Sequence, residues 1–135
     1  MALVLCALAP AAVAHAGEFQ DFQSPSGNIF CEIAALSGTS PEAVCEIVDR
    51  TWTPPPRPQD CEGAWGDRIA LAQGGWPALG CHTDTTRDPR LPVLAYGDSR
   101  SVAALTCTSA PDGITCTDTG TGHFFRISRE SYELH

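Results

Sequence analysis

The stretch Cys107-Thr108-Ser109-Ala110-Pro111-Asp112-Gly113-Ile114-Thr115-Cys116 decides the fold class. Ala110-Pro111-Asp112-Gly113 is a type I turn sequence, with Pro where φ must lie near −65° and Gly at the last position. If a hairpin closes symmetrically about this turn, Cys107 and Cys116 stand directly opposite each other. Opposed residues in a non-hydrogen-bonded pair have Cα atoms ~4.5 Å apart, the short end of the range a disulfide spans. Pro-Asp-Gly equally suits a three-residue loop with a bulged Gly, which would oppose Cys116 to Thr108 instead. A bridge between 107 and 116 therefore requires an even-membered loop or a compensating bulge.

Working outward, the same logic applies to an earlier pair. Cys31-Glu32-Ile33 and Cys45-Glu46-Ile47 share one alternation, apolar, charged, apolar. In a strand this places Cys and Ile on one face and Glu on the other. Two such strands joined through Gly38-Thr39-Ser40-Pro41 turn their cysteines toward a shared core and leave Glu32 and Glu46 on a solvated face. With Cys61 and Cys81 there are six cysteines beyond residue 16, and the shortest separation between consecutive ones is nine residues. Zinc sites use close pairs such as C-x-x-C, so these residues read as three disulfides rather than as metal ligands. Six cysteines allow 15 connectivities. Local order favours Cys31 with Cys45, Cys61 with Cys81 and Cys107 with Cys116, each loop contributing ~2–3 kcal/mol by constraining the unfolded chain.

Disulfides belong outside the cytoplasm, and the N-terminus agrees. Met1 to Ala14 is almost entirely apolar and leads into Ala14-His15-Ala16, small residues where a signal peptidase requires them. Cleavage is expected after Ala16, leaving residues 17–135 as a single disulfide-rich β domain. The run is shorter than the ~20 residues of a membrane-spanning helix, which argues against a permanent anchor. It opens without Lys or Arg, so Met1 reads as internal to a longer leader. Cys6 follows the bulky Leu5, an unfavourable setting for lipidation, and is expected to leave with the signal peptide.

The chain has 135 residues, 16 acidic and 8 basic, all eight of them Arg, for a formal charge of −8. Such a surface offers no counterion-releasing patch for nucleic acid or anionic lipid. Gly and Pro total 23 residues and disfavour a helical bundle. Residues 17–23 read as a lead-in, and strands are expected at 29–33, 43–48, 93–96 and 124–127 besides the last hairpin. Thr53-Pro54-Pro55-Pro56-Arg57-Pro58 cannot enter a sheet interior and reads as a polyproline strap across the surface, against Trp52 or Trp65. Residues 67–73 suit either a strand or a short helix, and 128–134 a closing helical turn. The sum is an all-β domain of about six or seven short antiparallel strands with at most one short helix. Thr83-Asp84-Thr85 and Thr117-Asp118-Thr119, each following the second Cys of a pair, hint at a duplicated hairpin.

Candidate chemistry is sparse. His82 and Asp84 flank one strand end, and His123 with Arg126 lies near another. No G-x-S-x-G elbow exposes a nucleophile for a triad. Asp84-Thr85-Thr86-Arg87-Asp88 lacks the Gly of a calcium loop. No catalytic, cofactor-binding or metal-ligating set is therefore assigned, and no cofactor is expected. His82, Asp84, His123 and Arg126 remain as surface-site candidates, with Arg126 and Arg129 read as partners of the many carboxylates. Trp52, Trp65 and Trp76 could stack on sugars if they lined one face, but read first as core.

Ser24-Pro25-Ser26-Gly27-Asn28-Ile29, the Pro-rich strap, Trp65-Gly66, Cys81-His82-Thr83-Asp84-Thr85, Tyr96-Gly97, Gly113-Ile114-Thr115-Cys116 and the run from Thr121 to Arg129 stand in that order. Together they resemble an uncharacterised family of small exported cysteine-rich proteins of actinobacteria, chiefly mycobacteria, classed as a domain of unknown function. The family pattern places a Gly ahead of the first Cys of the last hairpin, where Ser101-Val102-Ala103-Ala104 stands here. The resemblance implies export and a cysteine-paired domain, and it carries no site residues. The expected function is a secreted or cell-envelope binding module, more readily non-enzymatic than enzymatic, whose partner is an extracellular protein or glycan. A small hydrolase of envelope polymers and a disulfide-stapled inhibitor of an extracellular enzyme are the alternatives.

Overall fold

Alternating side chains and closely spaced turns build two meanders, each made of five consecutive strands. The computed structural model describes residues 18–135, so the expected signal peptide and Cys6 lie outside the described residues. The strands are β1 (Phe19–Gln23), β2 (Ile29–Ala34), β3 (Glu42–Ile47), β4 (Arg68–Ala72), β5 (Ala78–Leu79), β6 (Ser99–Val102), β7 (Leu105–Ala110), β8 (Gly113–Asp118), β9 (Phe124–Ile127) and β10 (Tyr132–Leu134). One sheet runs β1-β2-β3-β4-β5 and the other β10-β9-β8-β7-β6, every pairing between named strands antiparallel.

The all-β expectation holds, with ten strands rather than six or seven and no helix among the described residues. The lead-in is β1, residues 68–72 form β4 in place of a helix, and the expected closing turn is the edge strand β10. Residues 93–96 form no strand. Val93 makes a single parallel bridge to Gln23, and Leu94 drops its side chain into the core. Parallel pairing of that short segment is fixed by Gln23, whose backbone N–H donates to Pro92 O and whose Nε2 donates to Pro89 O and Leu91 O.

Both cysteine hairpins take the registers that direct opposition demands. Cys107 pairs with Cys116 and Ala110 with Gly113, giving the even, two-residue loop Pro111-Asp112. Cys31 likewise pairs with Cys45. The three disulfides are Cys31–Cys45, Cys61–Cys81 and Cys107–Cys116, and the Cα atoms of the two hairpin bridges are 4.1 and 4.0 Å apart. Each hairpin bridge links the second and third strands of its meander, and the two meet face to face with Cys45 Sγ 3.7 Å from Cys116 Sγ. The topological likeness relates 31/45 to 107/116, and not 61/81 to 107/116 as the sequence hints. The Thr-Asp-Thr likeness does not belong to it: Asp84 is exposed and Asp118 is buried.

Around the stacked bridges the core gathers Phe22, Ile33, Ile47, Ile69, Leu71, Leu94, Leu105, Ile114, Phe125 and Ile127. No tryptophan belongs to it. Trp52 packs at its rim against Tyr132, its Nε1 donating to Ser128 O. Trp65 lies against the polyproline strap, donating to Pro55 O, and Gly66 is there because a Cβ would come within 2.4 Å of Pro54. Trp76 stands in solvent, 73% exposed.

Candidate functional site

Polar chemistry concentrates in three places. The first grows from a cross-strand pair. Glu46 on β3 stands opposite Arg68 on β4, both pointing away from the disulfide core. Instead of a solvated face, they meet the segment that follows Cys81. Arg68 Nη2 lies 2.9 Å from Glu46 Oε2, and Nη1 lies 2.9 Å from Asp84 Oδ1. Glu46 also accepts from the Thr86 backbone N–H at 2.8 Å, the Thr85 hydroxyl at 2.7 Å and the Thr86 hydroxyl at 2.9 Å. Glu46 is thus buried, a correction to the solvated face expected for it, whereas Glu32 is half-buried. Burial pushes the Glu46 carboxyl up, but the Thr86 N–H, the Thr85 hydroxyl, Arg68 and the Thr86 hydroxyl hold it down at about 2.

His82 belongs to the same cluster. Its backbone bridges Ala64 in both directions, and Gly63 leaves no room for a Cβ beneath it. The ring is buried. Nε2 lies 2.7 Å from Asp67 Oδ1 and Nδ1 lies 2.6 Å from the carbonyl of Asp84. Both nitrogens face acceptors, an arrangement that only the imidazolium satisfies. Burial pulls the His82 pKa down, but the Asp67 carboxylate and the Asp84 carbonyl outweigh it and leave it raised above 6.5. One possible ligand atom from each of His82, Asp67 and Glu46 also lies within 4.8 Å of the others, close enough to share a cation. Here the positive charge is supplied by Arg68 on Glu46 and by the His82 proton on Asp67.

The second place is a cleft of about 380 Å³ at one end of the sandwich, walled by Ser24, Asn28, Asp49, Tyr96, Pro111 and Arg129 among others. Its Ser24–Asn28 wall is fixed by its own hydrogen bonds. Ser24 Oγ accepts from Ile29 N, and the Asn28 amide exchanges two bonds with the backbone of Asp49, at 2.9 and 2.8 Å.

The third is a pair of facing turns. Asp118, buried at the end of β8, accepts from Gly74 N at 2.7 Å across the sheets and from Gly120 N at 2.9 Å. The Gly74 N–H is the main reason its carboxyl lies below the usual range. The 73–77 turn, tied by Asp118 to the 119–123 turn, carries Trp76; the other carries His123, whose ring centroid lies 3.7 Å from that of Trp76.

Of the four sequence candidates, His82 and Asp84 come together directly, His82 Nδ1 lying 2.6 Å from the Asp84 carbonyl, and Arg68 holds the Asp84 carboxylate. His123 sits on the other sheet's turn. Arg126 is occupied by Asp112 O, Ser128 Oγ, Ser131 Oγ and Glu133. Sequence reasoning missed Asp67, Arg68 and Asp118. The opposition of Glu46 and Arg68 needs the β3–β4 register, which twenty intervening residues conceal, whereas Asp118-Thr119-Gly120 does carry the signature of a local Asx turn.

Compared with known proteins, the chain matches a family model over residues 2–135, described as a family of unknown function. No curated protein and no solved structure matches it. No helix among the described residues is long and apolar enough to cross a membrane.

Proposed function

The chain belongs to DUF6636, a family of unknown function, and we propose that it is a non-enzymatic binding module, exported from an actinobacterial cell and acting in the envelope or beyond it. Three disulfides in a small domain are consistent with an extracellular setting. In this reading residues 1–16 are the leader and 17–135 the secreted domain.

The observation that carries the proposal is the state of His82. A general base needs a free lone pair within reach of a substrate. His82 has its ring buried, one nitrogen on Asp67 and the other on a carbonyl. It stands outside the sandwich-end cleft, whose lining includes no histidine. The titratable chemistry is thus spent on holding the fold, while the surface turns are pinned by disulfides and backbone bonds, as a recognition scaffold requires. The turn bracketed by Cys107–Cys116 presents only Pro111 and Asp112, whereas the longer loops inside Cys31–Cys45 and Cys61–Cys81 carry the exposed Leu36 and Trp76, which keeps a stapled inhibitor as the second reading.

The test is direct. Protein purified from culture filtrate should co-sediment with isolated envelope material and should leave a panel of peptide, ester and glycan substrates intact. Turnover that disappears in a His82→Gln variant would establish the hydrolase instead. Absence of retention on every envelope fraction would remove the binding reading.

A further inference from the structure

Three tryptophans are spent differently. Trp52 and Trp65 each bury part of the ring and donate the indole N–H to a carbonyl. Trp76 does neither: it is 73% exposed, and among the described residues its Nε1 has no partner. Leaving so large an apolar ring in water forgoes burial worth ~2–3 kcal/mol. The ring is also held in place. It lies inside the loop closed by Cys61–Cys81 and precedes the buried Pro77, which restricts its backbone to extended conformations. His123 lies against it, and Asp118 ties its turn to the neighbouring one. Backbone ordering therefore costs little on binding.

We propose that Trp76, backed by His123, is a stacking platform for a neutral saccharide chain. The proposal rests on the binding-module reading and names the ligand class for it. The surroundings select the ligand. The two tied turns also carry the exposed Gly74, Thr119, Gly120, Thr121 and Gly122. This gives one flat aromatic face without the apolar rim that a protein interface of ~800 Å² per partner assembles. A pyranose ring fits such a face, its C–H side on the indole and its hydroxyls toward the free Nε1–H and the backbone of the glycine turns. The formal charge of −8 disfavours nucleotides, anionic lipid surfaces and acidic polymers.

The experiment uses the full exported protein with protease-treated, insoluble cell-wall polysaccharide, and with neutral hexasaccharides of β-linked glucose and of N-acetylglucosamine. Retention on the polysaccharide should fall at least tenfold in Trp76→Ala and only a few-fold in Trp76→Phe, both with unchanged circular dichroism and melting temperature. Titrating hexasaccharide into ¹⁵N-labelled protein should shift the Trp76 indole resonance and leave those of Trp52 and Trp65 in place. The inference is overturned if Trp76→Ala is retained like the wild type, if the wild type is retained on whole envelope but not on the protease-treated polymer, or if neither hexasaccharide moves the Trp76 signal. The first two outcomes leave the binding module standing and remove its saccharide; failure on every envelope fraction removes both.

Discussion

Two single positions show the backbone constraining residue choice. Gly113 has φ near +120°, and a Cβ there would lie 2.1 Å from Ile127 O on the neighbouring strand. Gly113→Ala therefore has to push β9 away from β8, and we expect a loss of ~3 kcal/mol or more in urea denaturation, with little folded protein recovered. Ala103 is the opposite case. It is the described non-glycine residue at positive φ, +51°, in the two-residue turn between β6 and β7. The left-handed conformation costs an L-residue ~1–2 kcal/mol, more than the extra chain entropy of a glycine. Ala103→Gly should stabilise the protein by about 0.5 kcal/mol and raise its melting temperature, and a lowered one would refute the account. The sequence hints at the site: the stretch Ser101–Ala104 is where the family resemblance leads one to expect a glycine.

At the scale of elements, the β3–β4 pair and the segment after Cys81 form one electrostatic unit with two pH limbs. Glu46 has its carboxyl at about 2 in the fold against 4.5 for an ordinary glutamate, so its contribution is present above 4.5 and fades as pH falls toward 2. The full shift corresponds to ~3 kcal/mol. His82 is raised above 6.5, so its contribution is complete below that value and is lost as pH rises through the raised one. Urea midpoints measured from pH 2 to 10 should thus fall at both ends, and His82→Gln should flatten the alkaline fall while leaving the acid one. Arg68→Met strands the buried Glu46 carboxylate and is expected to cost about 3–5 kcal/mol, much of it recovered in the Glu46→Leu/Arg68→Met double variant. This unit was hidden from sequence reading. Alternation assigns Glu46 to the outer face correctly, but nothing local reveals that Thr85 and Thr86, some forty residues on, will cover it.

Across the whole molecule, the two hairpins were legible because their evidence is local: cysteines equidistant from a Pro-Asp-Gly turn in one, and a shared Cys-Glu-Ile alternation in the other. The short partners β5 and β10 were not, because strands of two and three residues carry no period and owe their existence to the neighbour they pair with. The tryptophans misled for a related reason, since composition says how much apolar surface exists but not which rings reach the interior. The bridges also differ in reach. The four hairpin cysteines are fully buried, while Cys81 is exposed. Mild thiol reductant under native conditions should open Cys61–Cys81 first, read by alkylation and mass spectrometry; loss of a hairpin bridge at the same rate would contradict the sandwich. A last consequence follows from the order of the pairs. The described cysteines pair consecutively, so a chain that appears N-terminus first presents Cys31 with Cys45, and Cys61 with Cys81, before the next pair follows. Oxidation in that order is expected to form the three pairs with little call for reshuffling.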